Sequence, residues 1–138
     1  MITYATYMKS KLTHVALLVS DVDRTADFYI KYCGLKVIAR RLDPNTGFRV
    51  VWLGEDLKFV IVAFESEKKP IQSVTKPLNH LGFSLDTKEK VDQVSEIAKE
   101  EGLLNYGPVY IDADVGYICE ILDPDGNSVE FSYGQKLG

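Results

Sequence analysis

An α+β fold made of two similar halves is what the sequence predicts, and three observations predict it. The same order of elements, β-α-β-β-β, reads twice along the 138 residues. A histidine lies near the start of the first strand of each half, His14 and His80, and a glycine, Gly34 and Gly102, closes each helix. A repeat is sought first because missing one misassigns the topology. Leu12-Thr13-His14 matches Leu78-Asn79-His80, and extending the offset between the two glycines sets Val62 opposite Glu130.

In the first half, Thr13 to Val19 alternates, with Val15, Leu17 and Val19 on one face and His14, Ala16 and Leu18 on the other, which is a strand pattern. Ser20 and Asp21 offer cap oxygens, and Val22, Ala26, Tyr29 and Cys33 then recur at helical spacing up to Gly34. Leu35 to Leu42, Phe48 to Leu53 and Leu57 to Phe64 read as three strands. Asp43-Pro44-Asn45-Thr46-Gly47 and Gly54-Glu55-Asp56 supply the turns between them.

A polar, proline-bounded stretch from Glu65 to Pro77 separates the halves. Leu78 to Leu85 then reads as a strand, and Thr87 caps a helix whose apolar stripe is Val91, Val94, Ile97 and Ala98. Tyr106 to Ile111, Gly116 to Leu122 and Ser128 to Tyr133 complete the second half, with Asp123-Pro124-Asp125-Gly126 as the last turn. The expectation is one domain over 1–138, with modules at about 12–65 and 78–133.

Composition narrows the function classes. Hydrophobic residues at 46% and charged residues at 26% are the mixture of a globular protein. A net charge of −4 without a Lys/Arg cluster argues against a nucleic-acid partner. Apolar runs such as Phe59 to Phe64 are too short to cross a bilayer, and MITYATYMKSK lacks the apolar core of a leader, so a cytoplasmic protein without a membrane partner is expected. Cys33 and Cys119 are read as reduced thiols.

Strand parity singles out a constellation. Opposite each helix-packing face, the histidine face carries Ala16 in one half and Gly82 and Ser84 in the other, and Glu130 shares a face with Ser128 and Ser132. His14, His80 and Glu130 are therefore candidate ligands of a divalent metal. Two imidazoles and a carboxylate favour Fe, Mn, Zn, Ni or Co over Ca or Mg, and three protein ligands leave positions open for substrate or water. Each histidine alone would more often be structural, but the matched placement of the two favours ligation; Glu130 could be a solvated edge residue. Arg40, Arg41 and Arg49 are weighed as anion binders against ordinary surface arginines, and Trp52, Tyr110, Tyr117 and Tyr133 as pocket lining against core. The charges of Lys88 to Lys90 and Lys99 to Glu101 read as a solvated helix face. No nucleophilic triad or phosphate-binding glycine loop stands out.

The runs T-H-V-A-L-L-V-S-D-V-D-R-T-A-D-F-Y, N-H-L-G-F-S-L and L-D-P-D-G-N-S-V-E-F resemble the vicinal oxygen chelate superfamily over about Leu12 to Tyr133. Its members include glyoxalase I, extradiol dioxygenases, fosfomycin-resistance transferases, methylmalonyl-CoA epimerase and bleomycin-resistance proteins. The resemblance implies paired βαβββ modules forming a cup-shaped mixed sheet, usually in a homodimer, with His14, His80 and Glu130 as metal ligands. Glyoxalase I would carry a glutamate on the last strand of the first half, where this chain has Val62. The resemblance thus implies a metal-dependent enzyme for a small molecule that chelates through adjacent oxygens, dioxygenase-like first and a glyoxalase I-like lyase second. The alternative is a metal-free drug-binding protein of the bleomycin-resistance type. If modules pair between subunits, His14 of one chain would face His80 of the other.

Overall fold

The computed structural model describes residues 11–66 and 78–137. The N-terminal segment and most of the polar stretch between the halves lie outside the described residues. The first module runs β1 (His14–Val19), α1 (Val22–Cys33), β2 (Lys36–Leu42), β3 (Arg49–Gly54) and β4 (Val60–Glu65). The second runs β5 (His80–Ser84), α2 (Lys88–Glu100), β6 (Leu104–Tyr110), β7 (Tyr117–Leu122) and β8 (Ser128–Tyr133). Each module folds as a four-stranded mixed sheet, ordered β1-β4-β3-β2 and β5-β8-β7-β6. The first and last strands of each module pair in parallel, and the other neighbours are antiparallel. The tandem α+β architecture is the one expected.

Local chemistry sets the helix limits. Asp21 is extended, and its carboxylate accepts the Asp23 and Arg24 N–H groups, satisfying two donors that α1 leaves free. Gly34 takes the left-handed conformation at φ 66° and sends its N–H back to Ile30 O, a close that residues with a Cβ rarely make. Thr87 caps α2 through the Lys90 N–H. Ser20, the other cap candidate, instead donates its hydroxyl to Asp125.

Several strand boundaries differ from the periodicity, and two of the shifts have a visible local cause. The strand expected from Leu57 starts at Val60, because the Asp56 carboxylate accepts the Lys58 N–H at 2.7 Å and draws the intervening residues into a turn. The strand expected from Tyr106 starts at Leu104, which pairs with Ile121 as soon as the chain leaves α2. Register shifts on both sides of Tyr106 break the alternation that parity reading relies on.

Each helix covers one face of its own sheet, and one apolar cluster runs through both modules. It contains Val19, Tyr29, Leu53 and Ala63 from the first and Val91, Cys119, Ile121, Val129 and Phe131 from the second. The last turn of the second module docks on α1. The Tyr29 hydroxyl donates to Asp123 Oδ2 at 2.9 Å, and Asp123 also accepts from the Asp125 and Asn127 N–H groups and the Asn127 side chain. Burial, reinforced by the Asp123 charge, raises the Tyr29 pKa far above its ordinary value, so the phenol keeps its proton and works only as a donor.

Candidate metal centre

The sheet faces turned away from the helices hold the candidate residues, and the strand register decides which of them meet. In the second module Gly82 on β5 lies beside Glu130 on β8, and Glu130 lies directly opposite Glu120 on β7. His80, two residues before Gly82 on the same face, brings its Nε2 to 3.5 Å from Glu130 Oε2. One donor atom from each of His80, Glu120 and Glu130 fits in a group whose members all lie within 4.8 Å of one another. Gly82 has nothing within 4 Å of where a Cβ would stand, so the space over Glu130 is open. A cavity of about 370 Å³ opens there, lined by His80, Gly82, Ser84, Glu130, Gln135 and Leu137.

Hydrogen bonds orient the three side chains. His80 Nδ1 lies 2.7 Å from Asn79 Oδ1, an oxygen that can only accept, so Nδ1 carries a hydrogen and the ring is oriented with Nε2 toward Glu130. Gln135 donates to Glu130 Oε1 at 3.0 Å, and the Ser128 hydroxyl donates to Glu120 Oε2 at 3.0 Å. Glu130 Oε2 accepts no hydrogen bond from any described residue. Neither carboxylate has a Lys or Arg partner among the described residues, although Glu130 is only 6% exposed. Two carboxylates facing each other across a ladder repel, and burial withdraws the water that would moderate the repulsion. Three oxygen and nitrogen donors converging without a cation suit a divalent ion. The 3.5 Å between the His80 and Glu130 atoms lets both reach one ion at the usual distance of about 2.0–2.2 Å.

His14 is elsewhere. It lies on β1 of the other sheet with Nδ1 2.8 Å from Thr13 Oγ1, and it lines a separate cavity of about 490 Å³ with Arg41, Trp52, Val60, Val62 and Phe64. The two cavities share no lining residue. The single chain thus joins His80 to Glu130, adds Glu120, and leaves His14 apart. Val62 pairs with Ala16 and Trp52 just as Glu130 pairs with Gly82 and Glu120, which makes it the first module's counterpart of Glu130.

Glu65 turns to the helix side, where it accepts the Val22 N–H and pairs with Arg49, so it is no substitute for a ligand at Val62. Arg40 and Arg49 are held by Asp23, while Arg41 reaches the His14 cavity. Of the weighed aromatics Trp52 lines that cavity, whereas Tyr117 bonds Asp92 on α2, which pushes its phenol up to about 12. Glu120 and Gln135 were missed by sequence reasoning. A hairpin centred on Asp125 sets residues five before and five after it opposite each other, a signal that would have found Glu120.

The model of the Glyoxalase/Bleomycin resistance protein/Dioxygenase superfamily matches residues 11–131. The chain belongs to this superfamily. An uncharacterized protein of Pseudomonas aeruginosa, PA2024, is 39% identical over 134 residues, covering 95% of this chain and 94% of that protein. A chloroplastic protein of Arabidopsis thaliana named as a probable lactoylglutathione lyase is 27% identical over 94% of this chain, which spans 37% of its length. Among solved structures, a glutamate-to-glutamine variant of the fosfomycin resistance protein FosX from Listeria monocytogenes, complexed with Mn(II) and 1S,2S-dihydroxypropylphosphonic acid, superposes with a TM-score of 0.72 at 20% identity. That likeness covers 94% of this chain and 96% of FosX. Glyoxalase I of Leishmania major superposes at 0.70 with 17% identity, covering 91% of this chain and 88% of that one. These likenesses establish the glyoxalase-like fold of the superfamily member. No helix among its described residues is long and apolar enough to cross a membrane.

Proposed function

We propose that this superfamily member is a divalent-metal-dependent enzyme for a small substrate that chelates through adjacent oxygens. His80 and Glu130 of one chain, with His14 of a second copy, are the proposed ligands. The observation that carries the reading is the buried Glu130, which has no Lys or Arg partner among the described residues and stands 3.5 Å from His80 Nε2. A bound divalent ion would polarise substrate oxygens and stabilise a developing oxyanion. The chain's own groups then have distinct work. Asn79 orients the His80 ring, and Gln135 holds the Glu130 carboxylate in line. The apolar wall of Trp52, Val62 and Phe64, which the second copy would bring together with its His14, would shield the substrate body from water.

The proposal includes a homodimer, which would reunite His14 with His80. Strands β1 and β5 are both sheet edges, and a second copy that sets β1 beside β5 would bring His14 to His80. Isomerase or lyase chemistry is the leading reaction class, in line with the name of the Arabidopsis relative and with carboxylates able to move a proton. Dioxygenase chemistry is the second reading, favoured by the set of two histidines and one glutamate.

Metal analysis after anaerobic purification, followed by thermal melts with added Mn, Fe, Co, Ni or Zn, tests the proposal. About one bound ion per His80–Glu130 pair is expected. Protein that neither holds nor takes up an ion would overturn it in favour of a metal-free binding protein. Oxygen uptake with a catechol panel then separates dioxygenase from isomerase.

A further inference from the structure

We infer that Glu120 is a ligand of the same ion, so that the second module of a single chain holds the metal with three donors and His14 is an added one. This rests on the metal reading above and deepens it by changing the donor set from one carboxylate to two.

Three observations converge. Glu120 stands in direct register with Glu130, and a donor atom of each lies within 4.8 Å of the other and of His80. The Glu120 carboxylate accepts only the Ser128 hydroxyl, on Oε2, and has no Lys or Arg partner among the described residues. Independently, Glu130 Oε2 points into the group from a side chain 7% exposed and receives no hydrogen bond there. Two carboxylates and a neutral imidazole cancel the charge of a divalent ion, which removes the electrostatic objection to both carboxylates sharing one site. The first module makes the same point in reverse. At the positions matching Glu120 and Glu130 it carries Trp52 and Val62, so all the anionic donors sit on one module.

This arrangement has a consequence for chemistry. A two-carboxylate, charge-neutral set suits a redox-inert role in which the ion stabilises an oxyanion, and it moves dioxygenase chemistry further down.

The test uses the full chain without any substrate, titrating Mn(II) and Zn(II) by competition with a fluorescent chelator and recording thermal melts with and without metal. Glu120→Gln keeps the shape and an oxygen for Ser128. It is expected to weaken metal binding at least tenfold while raising the melting temperature of the metal-free protein, because it relieves the repulsion with Glu130. His14→Ala is expected to weaken binding less than Glu120→Gln does. A carboxylate with a purely structural role cannot produce these opposite signs. If Glu120→Gln binds metal within threefold of the unmodified chain while Glu130→Gln loses binding, Glu120 is not a ligand and the metal reading stands. If the unmodified chain binds neither ion, both readings fall. Should Glu120→Gln fold poorly, Glu120→Asp serves in its place; its shorter arm gives the same loss of affinity if Glu120 ligates and none if it does not.

Discussion

The two modules share a backbone plan and oppose each other in chemistry. On the face away from the helices, the first presents His14, Trp52, Val60, Val62 and Phe64. At the matching positions the second presents His80, Glu120, Ser128, Glu130 and Ser132. Only the histidine is common. One face is an apolar wall with a single nitrogen donor, and the other is a polar wall that gathers charge. Under the proposed function, two tasks, holding an ion and holding the body of a substrate, would be divided between halves that would be redundant if they were alike.

The helix-facing sides differ as well, and the largest expected effect lies there. Phe131 is fully buried and stacks on Phe83 at 5.9 Å, while its counterpart in the first module is Ala63. The first module instead carries large buried aromatics on its helix, with Phe28 and Tyr29 in edge contact at 5.0 Å. Phe131→Ala should therefore leave a cavity that α2 cannot fill, since Val91, Ser95 and Ala98 are its buried residues. A loss of about 3–5 kcal/mol in urea unfolding is expected. A loss below about 1 kcal/mol would mean that the second core repacks and that the two cores are interchangeable.

Exchanging the residues of the concave faces gives the next largest effects, with opposite signs. Val62→Glu puts a carboxylate at a site 8% exposed among Val50, Trp52 and Phe64, and should cost the metal-free protein about 3 kcal/mol. Glu130→Val removes one of two facing carboxylates and should stabilise the metal-free protein by about 1–2 kcal/mol while abolishing any metal-induced rise in melting temperature. Destabilisation by both changes would break the contrast between an apolar and an ionic face.

Much of this contrast was legible in the sequence, and what was not has physical causes. The alternation of His14 to Val19 was readable because β1 has one buried face, that of Ser128 to Tyr133 because polar and apolar residues alternate along β8 although both its faces are covered, and the helix limits followed from Asp21, Gly34 and Thr87. The start of β6 was hidden because bulges on both sides of Tyr106 reset the parity. Glu120 went unnoticed because its meaning comes from its partner across the hairpin rather than from its own neighbours. The bond from Tyr29 to Asp123 spans 94 residues, and no local pattern reports that the D-P-D-G-N turn joins the modules. The separation of His14 from His80 depends on how two sheets sit relative to each other, which strand patterns do not encode.

The thiols offer a subtler contrast. Cys33 closes α1 and Cys119 lies on β7 under α2; burial raises both, the second to about 11, with Asp123 adding to Cys33 and Asp92 adding to Cys119. A thiol whose folded value exceeds its unfolded one stabilises the fold fully below the unfolded value, near pH 9 here, and that contribution is lost as pH rises toward the folded value. Native protein at pH 8 should react with iodoacetamide at least tenfold more slowly than the urea-unfolded chain, at both thiols. Equal rates in the folded and unfolded states would show that neither site is shielded.

The smallest effect separates the two helices. Ser95 on α2 donates its hydroxyl to Asp92 O at 2.8 Å, whereas the Thr25 hydroxyl on α1 is buried without a partner among the described residues. A buried hydroxyl that has given up its bond to water for nothing destabilises the fold, so its replacement by a methyl of similar size should be neutral or favourable. Thr25→Val is expected to change unfolding free energy by between zero and about 1 kcal/mol in the stabilising direction, with the β-branched rotamer preserved. Ser95→Ala, which deletes a satisfied bond, should cost about 0.5–1 kcal/mol. A clear loss of stability in Thr25→Val would mean that its hydroxyl has a partner after all, and the place to look would be the junction where α1 meets the second module.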